Sequence, residues 1–366
     1  MVMRSVIVLG STGSVGTQAL EVIRTLSESF QVVGLTANSA EDALEAQRIA
    51  FGLSRDQVAL GADRAAALVR DTHADVVVHG ISGSAGLAAT LAALETGKTL
   101  ALANKESLIV GGELVTKLAK PGQIVPVDSE HSALAQCLRS GTDAEIAKLI
   151  LTASGGPFRG YSMEQLQSVT VEQALKHPTW SMGQIITINS ASMVNKGLEM
   201  IEAQLLFGVP IERISITVHP QSAVHSMVEY TDGSVIAQCS ITDMKLPIAL
   251  ALDWPKRQPG AVKPIDWSQS HSWEFEPIDE QVFKAIPLAR EVALRGLTYP
   301  AVYNAANEQA VEAFLAGQIR FVDIVSIIDQ VIEQHNPPAS LTLEGVLASE
   351  SWARLTADSL IAQRIS

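Results

Sequence analysis

The stretch VIVLGSTGSVG at residues 6–16 indicates how the N-terminal part of the chain folds. Its four leading apolar residues predict a buried strand, and a helical pattern follows over Thr17–Leu26. Gly10, Gly13 and Gly16 permit a tight turn and a close approach of the backbone to a ligand, while the N–H groups at the helix start favour a pyrophosphate. The stretch therefore predicts a dinucleotide site, and a purely structural strand-to-helix turn is the alternative.

Apolar runs and helical patterns alternate from this stretch as far as residue 127. Such alternation is typical of parallel strand–helix–strand units in a doubly wound sheet. The further strand runs are Val32–Leu35, Val76–Val78, Thr99–Ala103 and Val125–Val127. We expect an α/β fold with an N-terminal Rossmann-like, dinucleotide-binding domain over residues 1–127.

Beyond residue 127 the pattern changes. Residues 128–253 combine strand-like runs, Ile185–Ile188 among them, with polar turns and a helix near Asn195–Leu206, which predicts a central α+β catalytic domain. Residues 254–280 are rich in proline and tryptophan and are expected to form a linker. Apolar residues then recur at helical spacing, so residues 281–366 are predicted to form an α-helical C-terminal domain.

Charge and cysteine content limit the classes of function. Subtracting 39 acidic from 26 basic residues gives a net charge of −13, which disfavours nucleic-acid and membrane partners. Two cysteines in 366 residues make no disulfide framework. Gly10 interrupts the first apolar run too early for a signal peptide. We therefore expect a cytoplasmic protein.

Three acidic residues are candidates for binding a divalent cation. Asp128 and Glu130 follow an apolar run, and alternate side chains of an extended segment share one face. Oxygen ligands of this kind suit Mg²⁺ or Mn²⁺, and a solvated acidic turn is the alternative. Glu199 lies about one helical turn beyond Asn195 and could supply a third carboxylate.

Other polar motifs predict an anion pocket and a flap. Ser190, Asn195 and Lys196 surround a helix start and could hold an anion, although by itself the motif slightly favours the alternative, a capped helix with a polar surface. Ser154 lies in a glycine turn that could do the same. The loop HPTWSMG at residues 177–183 is typical of a flap that excludes water, or of a loop whose tryptophan packs in the core.

Two strand ends bear on cofactor and substrate. Asn104, Lys105 and Glu106 follow a strand of the predicted sheet, where open α/β sheets bind ligands, although Asn104 could simply cap a helix. The second strand has no acidic residue before Glu41, which favours NADP over NAD. No lysine or arginine stands there for the 2′-phosphate.

Eight motifs together resemble the 1-deoxy-D-xylulose 5-phosphate reductoisomerase family. They occur in the order GSTGSVG (10–16), LANKES (102–107), PVDSEHSA (126–133), LTASGGPF (151–158), HPTWSMG (177–183), NSASMVNKGLE (189–199), HPQSAVHSMVEYTDGSV (219–235) and NAANE (304–308). The resemblance spans nearly the whole chain. It implies a homodimeric enzyme that converts 1-deoxy-D-xylulose 5-phosphate to 2-C-methyl-D-erythritol 4-phosphate with NADPH and Mg²⁺ or Mn²⁺.

The resemblance also implies roles for single residues. The expected cofactor-binding residues are Gly10, Thr12, Gly13, Ser14, Val15, Asn38, Ser39, Asn104, Glu106 and Gly183. The expected metal ligands are Asp128, Glu130 and Glu199. The expected substrate-binding residues are Lys105, Ser129, Glu130, Ser154, His177, Trp180, Ser190, Asn195, Lys196 and Glu199, and the catalytic ones are Lys105, Glu130 and His177.

The chain departs from the family pattern at two places. Asn38-Ser39-Ala40 stands where the family usually has Gly, then Lys or Ser, then Asn, which leaves the preference for NADPH over NADH open. Asn189 and Ser192 replace a usual Asp and Thr. The alternatives are another NAD(P)-dependent reductase, of the semialdehyde or homoserine dehydrogenase type, and a non-catalytic NADP-sensing regulator.

Overall fold

The computed structural model describes residues 3–180 and 182–365 and divides into two compact units. The first unit comprises Met1–Leu108, Val115–Ala135 and Asp243–Ile265. The second comprises Ile109–Leu114, Gln136–Thr242 and Asp266–Ser366.

A six-stranded parallel sheet forms the centre of the first unit. Its strands are β1 (Arg4–Leu9), β2 (Phe30–Ala37), β3 (Val58–Leu60), β4 (Val76–His79), β5 (Thr99–Leu102) and β6 (Ile124–Pro126), in the spatial order β3-β2-β1-β4-β5-β6. The helices along this part of the chain are α1 (Ser14–Thr25), α2 (Glu41–Ala50), α3 (Ala62–Asp71), α4 (Leu87–Glu95), α5 (Lys105–Gly111), α6 (Glu113–Leu118) and α7 (Ser129–Cys137). The predicted doubly wound dinucleotide-binding fold is confirmed.

The central strands of this sheet are buried on both faces. Every residue of Val6–Leu9 and of Val76–His79 is fully buried, which explains why these strands read as continuous apolar runs rather than alternating ones. The strand order reverses between β1 and β4, and open α/β sheets bind ligands at the carboxyl ends of strands beside such a reversal. The glycine-rich turn after β1 lies at this place.

The second unit contains a mixed five-stranded sheet and most of the remaining helices. Its strands are β7 (Ile146–Ala153), β8 (Ile214–Val218), β9 (Val224–Tyr230), β10 (Val235–Cys239) and β11 (Glu276–Pro277), in the order β10-β9-β7-β8-β11. The helices from α8 onward are α8 (Met163–Leu166), α9 (Val171–Ala174), α10 (Gln184–Ala191), α11 (Val194–Phe207), α12 (Lys245–Leu252), α13 (Ala285–Arg295), α14 (Tyr299–Leu315), α15 (Asp323–Gln334) and α16 (Leu343–Ile365). The predicted C-terminal helices are therefore present.

Helix α12 belongs to the first unit. The bounds of the two units therefore differ from those of the expected segments, which are domains 1–127, 128–253 and 281–366 and a linker at 254–280. Ile248 and Leu252 of α12 are buried in the same core as Leu20 of α1. At its two ends Lys245 pairs with Glu21 at 2.7 Å, and the carbonyl of Leu252 accepts from the Arg4 guanidinium at 2.6 Å. An apolar helix without a partner nearby in sequence is buried where the tertiary fold offers one.

The predicted strand at Ile185–Ile188 is wrong, because these residues lie in helix α10. Ile185 and Ile186 are each 42% exposed whereas Thr187 and Ile188 are buried, so exposed and buried residues do not alternate as they do along a half-buried strand. Four residues are too few for periodicity to separate the two structures.

Among the described residues, no helix combines the length and the apolar character that a bilayer crossing requires.

Candidate active site

The β1–α1 turn brings its predicted residues to the edge of the sheet in the first unit. Thr12 is half-buried, and Gly13 and Ser14 are exposed at the start of α1, where the first-turn N–H groups have no acceptor within the helix. A Cβ atom on Gly10 would lie 2.6 Å from the carbonyl oxygen of Gly80, and Gly10 has a φ of +69°. Only glycine satisfies both conditions. Gly10 therefore lets the turn pack against the residues after β4, and Gly13 and Ser14 remain exposed at a helix start, where anions are favoured.

Two residues that sequence reasoning missed hold this turn in place. Ser11 is fully buried, and its backbone N–H donates to the carbonyl of Thr36 on β2 at 2.7 Å. Its hydroxyl donates to Oε1 of Gln47 at 2.6 Å, and Nε2 of Gln47 donates back to the Ser11 carbonyl at 2.9 Å. Gln47 lies on α2, outside every motif, so the sequence carries no signal for this contact.

The other expected cofactor residues of the first unit lie after β2 and β5. Asn38 and Ser39 are exposed beyond the end of β2. Asn104 is 1% exposed, and its Nδ2 donates to the carbonyl of Gly83 at 2.8 Å and to Glu106 at 3.2 Å. Its side chain thus holds the loop before α4 against the end of β5.

Carboxylates and a lysine gather at the start of α7. Lys105 Nζ is 2.6 Å from Oδ2 of Asp128, and His131 Nδ1 is 3.1 Å from Oδ1 of Asp128. Burial alone would raise the pKa of Asp128, but the charge of Lys105 and the hydrogen bond with His131 hold it well below its usual range. Ser129 donates to Glu130 beside it. The ionised carboxylate of Asp128 is an oxygen donor of the kind that a hard divalent ion prefers.

The second unit gathers hydroxyl groups around His177. Nε2 of His177 is 3.2 Å from the hydroxyl of Ser154 and 3.1 Å from that of Ser190. Ser154 follows β7 in the glycine turn, and Ser190 lies near the end of α10. Two predicted anion-binding serines and the predicted histidine therefore meet in one cluster.

The hydrogen bonds of His177 fix its tautomer. Nδ1 accepts from the backbone N–H groups of Thr179 and Trp180, at 3.2 and 2.9 Å, so the ring proton lies on Nε2. Burial lowers the pKa of His177, which favours this neutral form. The ring therefore presents an N–H donor toward the serine hydroxyls.

The first turn of α11 carries the remaining polar residues. Lys196 donates to a buried Glu199, which is 1% exposed, and Nδ2 of Asn195 donates to the other Glu199 oxygen at 2.5 Å. Met193 precedes the helix in the left-handed region, with a φ of 62°, which is uncommon for a residue with a side chain. The helix turn thus places one ammonium and one carboxylate together in the interior.

The predicted flap is described except for Ser181, which lies outside the described residues. The Trp180 ring is half-buried, with its centroid 6.4 Å from that of His225. Gly183 is exposed and caps the start of α10. His225 and His219 have hydrogen-bond partners of their own within the unit.

Comparison with known proteins finds relatives along the whole chain. Family models described as 1-deoxy-D-xylulose 5-phosphate reductoisomerase match residues 6–55 and 52–112. The C-terminal domain models of the same family match residues 124–207 and 239–356.

Curated and solved relatives agree with these matches. The 1-deoxy-D-xylulose 5-phosphate reductoisomerase of Leifsonia xyli subsp. xyli is 59% identical over 361 residues, covering 99% of each chain. That of Corynebacterium glutamicum is 53% identical, covering 99% of this chain and 98% of its own. The Zymomonas mobilis enzyme, solved with NADPH, superposes with a TM-score of 0.90 at 39% identity, covering 98% and 99%. A DOX-P reductoisomerase solved with NADPH, fosmidomycin and magnesium gives a TM-score of 0.89 at 39% identity, covering 98% of both chains.

Motifs, fold and relatives over nearly the full length agree, and the chain belongs to the 1-deoxy-D-xylulose 5-phosphate reductoisomerase family.

Proposed function

We propose that this chain uses the residues described above for the reaction of its family. It converts 1-deoxy-D-xylulose 5-phosphate to 2-C-methyl-D-erythritol 4-phosphate, by rearranging the carbon skeleton and then reducing the aldehyde so formed. The observation that carries this proposal is the chemistry present in one chain: a glycine turn at the end of a parallel strand, an Asp128 carboxylate paired with Lys105, and serine hydroxyls gathered around His177.

The cofactor is assigned to the first unit. Thr12, Gly13, Ser14 and Val15 line the site for the pyrophosphate of NADPH, which the free N–H groups at the start of α1 bind, and Gly10 lets the turn pack against Gly80. Asn38 and Ser39 face the ribose of the adenosine. Asn104 and Glu106 shape the loop beside the nicotinamide, and Gly183 of the flap adds a contact. The fit rests on the turn itself, because Gly10, at the carboxyl end of β1, lets it pack against the backbone of Gly80, and Gly13 and Ser14 at the start of α1 are exposed.

The divalent cation is assigned to Asp128, Glu130 and Glu199. These are oxygen donors, and Asp128 and Glu199 each face a lysine ammonium, so the protein already stabilises positive charge beside them. When bound, the cation supplies a Lewis acid that polarises the substrate oxygens, and NADPH supplies the hydride.

The substrate phosphate is assigned to Ser154, Ser190, Asn195 and Lys196. Hydroxyl, amide and ammonium donors are the groups that bind phosphate, and the net charge of −13 makes a local cationic site necessary. His177 adds the N–H donor of its Nε2, and the flap residue Trp180 excludes water. Binding energy from this remote group helps to orient the reacting carbons.

The reacting end of the substrate is assigned to Lys105, Ser129 and Glu130. Lys105 stabilises negative charge that develops on the substrate oxygen. Glu130, whose carboxylate accepts a hydrogen bond from the Ser129 hydroxyl, is placed to accept and return a proton. The neutral His177 acts as a donor toward the substrate and not as a base.

The quaternary structure and location complete the proposal. The chain forms a homodimer through an aromatic patch, defined as Trp267, His271, Trp273 and Phe275, in which Trp267 is 67% and Phe275 45% exposed. Exposed aromatic clusters mark protein interfaces.

The protein is cytoplasmic. Its two cysteines support this location, because both are free thiols.

The proposal is tested by following the oxidation of NADPH with purified protein and 1-deoxy-D-xylulose 5-phosphate. We expect turnover with Mg²⁺ or Mn²⁺ and its loss on addition of EDTA, because the cation held by the carboxylates polarises the substrate and EDTA removes this cation. Repeating the assay with NADH shows what Asn38 and Ser39 contribute to the choice of cofactor. NADPH binding without turnover under any metal would instead favour a cofactor-sensing regulator.

A Glu199→Gln variant tests the metal assignment. The amide keeps the size of the side chain but removes a ligand charge, so we expect turnover to fall by about 10³-fold or more. Calorimetry should show weaker Mn²⁺ binding and unchanged NADPH binding. Turnover like that of the unmodified enzyme would remove Glu199 from the metal site.

A further inference from the structure

The motif NAANE at residues 304–308 is one of the eight family motifs. None of its residues is assigned to the cofactor, the cation or the substrate. It lies in the middle of α14. Asn304 Nδ2 donates to Oε1 of Glu308 on the same helix at 3.0 Å, and Glu308 lies 2.6 Å from the Arg354 guanidinium on α16. One half of the motif therefore fixes α14 within the helical bundle.

Asn307, the other asparagine of the motif, contacts a different element. Its Nδ2 donates to Oδ1 of Asn189 on α10 at 3.0 Å, and the two residues are 1% and 5% exposed. Within the described part of the chain, Oδ1 of Asn307 is buried without a hydrogen-bond partner. The bond to Asn189 is thus the contact that determines how this amide is oriented.

Helix α10 packs against α9, α11 and α14, and its buried residues lie toward its C-terminal end. The helix has eight residues, and two of its first three, Ile185 and Ile186, are each 42% exposed. Its buried side begins at Thr187, so packing near its end sets its rotation. A buried hydrogen bond has strict distance and angle requirements and resists displacement, because breaking it leaves a polar group without a partner.

Asn189 directly precedes Ser190, the serine that lies 3.1 Å from Nε2 of His177. The same nitrogen is 3.2 Å from the hydroxyl of Ser154. A rotation of α10 that releases Asn189 from Asn307 therefore moves Ser190 away from the cluster.

We propose that Asn307 is a positioning residue for substrate binding: through Asn189 it sets the place of Ser190 and so the phosphate-binding cluster. This gives the C-terminal helical bundle a part in substrate affinity. The inference rests on the proposed role of Ser190.

The test compares two asparagines of one helix. Asn307→Leu removes the bond to α10 but keeps the number and branching of the side-chain heavy atoms, whereas the same change at the equally buried Asn304 removes a bond inside α14. We expect Asn307→Leu to raise the KM for 1-deoxy-D-xylulose 5-phosphate and the inhibition constant of inorganic phosphate about tenfold, with an unchanged KM for NADPH. Asn304→Leu should lower Tm by a few degrees and leave all three constants unchanged.

Variants of the partner residue keep the test decisive if Asn307→Leu does not fold. Asn189→Leu should reproduce the rise in both constants. Asn189→Asp keeps an acceptor oxygen for Asn307 and should retain nearly the original constants.

Two outcomes overturn the inference: unchanged constants in Asn307→Leu and Asn189→Leu, or an equal rise in Asn304→Leu. Ser190→Ala separates this failure from failure of the phosphate assignment. If Ser190→Ala weakens inhibition by phosphate and Asn307→Leu does not, only the positioning role is wrong. If Ser190→Ala changes nothing, the phosphate assignment itself is wrong.

Discussion

At the residue scale, Gln47 shows how one side chain supports a binding turn that it does not belong to. Its amide exchanges two hydrogen bonds with the buried Ser11, at 2.6 and 2.9 Å. We expect Gln47→Leu to weaken NADPH binding about tenfold, because the turn loses its support from α2 while the pyrophosphate-binding N–H groups remain. Fluorescence titration with NADPH measures this.

Gln57→Leu is the matched control for that variant. Gln57 is another glutamine of the first unit, and its Nε2 donates to the carbonyl of Val33 at 3.1 Å, away from the turn. Its replacement should cost stability without changing the dissociation constant of NADPH. Equal weakening in both variants would contradict a specific role for Gln47.

His79 predicts a pH dependence of stability. It is fully buried on β4, its Nε2 lies 2.9 Å from the carbonyl oxygen of Gly86, and burial lowers its pKa from 6.5 to about 4. Between these values the unfolded chain takes up a proton that the folded chain does not, so the free energy of unfolding falls as the pH drops below about 6.5.

The size of this effect can be measured by denaturant unfolding at several pH values. Protonation of His79 in the unfolded chain should lower the free energy of unfolding by about 1 kcal/mol as the pH falls from 7 to 5.5. The His79→Gln side chain can still donate to the Gly86 carbonyl but does not titrate. In this variant that part of the pH dependence of the free energy of unfolding should be absent. An equal slope in both proteins would mean that other groups cause it.

At the scale of elements, the contact of helix α1 with the turn before it depends on Gly16. A Cβ at this position would lie 2.2 Å from the carbonyl oxygen of Gly10, which is backbone and has no room to move. We expect Gly16→Ala to lower the free energy of unfolding by about 3 kcal/mol and to abolish measurable NADPH binding. Chemical denaturation and fluorescence titration measure the two effects.

Gly13→Ala is the control at the same turn. Its φ is −80°, and its Cβ would lie 3.3 Å from the Gly10 oxygen, a distance that a shift of a few tenths of an ångström relieves. This variant should fold with nearly the original stability. Similar losses in both variants would show that the turn tolerates no added carbon, and would contradict the special role of Gly16.

At the scale of the whole molecule, the aromatic patch predicts the oligomeric state. Trp267→Ser removes the most exposed large side chain of the patch, so we expect a dimer to dissociate at concentrations where the unmodified protein remains associated. Leu355→Ser is the control, since Leu355 on α16 is 69% exposed but lies outside the patch. Analytical ultracentrifugation measures both, and dimers of equal stability would place the interface elsewhere.

Local sequence determined the parallel sheet, the glycine turn and the C-terminal helices of this protein. Their signals are local: a buried parallel strand is a continuous apolar run, a tight turn needs glycine, and an amphipathic helix repeats every 3.6 residues. Single motifs such as Asp128-Ser129-Glu130 left alternatives open, and the family resemblance came from eight motifs taken together.

Which distant residues meet depends on how the helices and sheets pack together. The bond between Gln47 and Ser11 joins residues 36 positions apart, and that between Asn307 and Asn189 joins residues 118 apart. Ile185–Ile188 became a helix against its β-branched composition, and α12 joined the first unit. Such outcomes depend on which surfaces are available for burial, which no local pattern records.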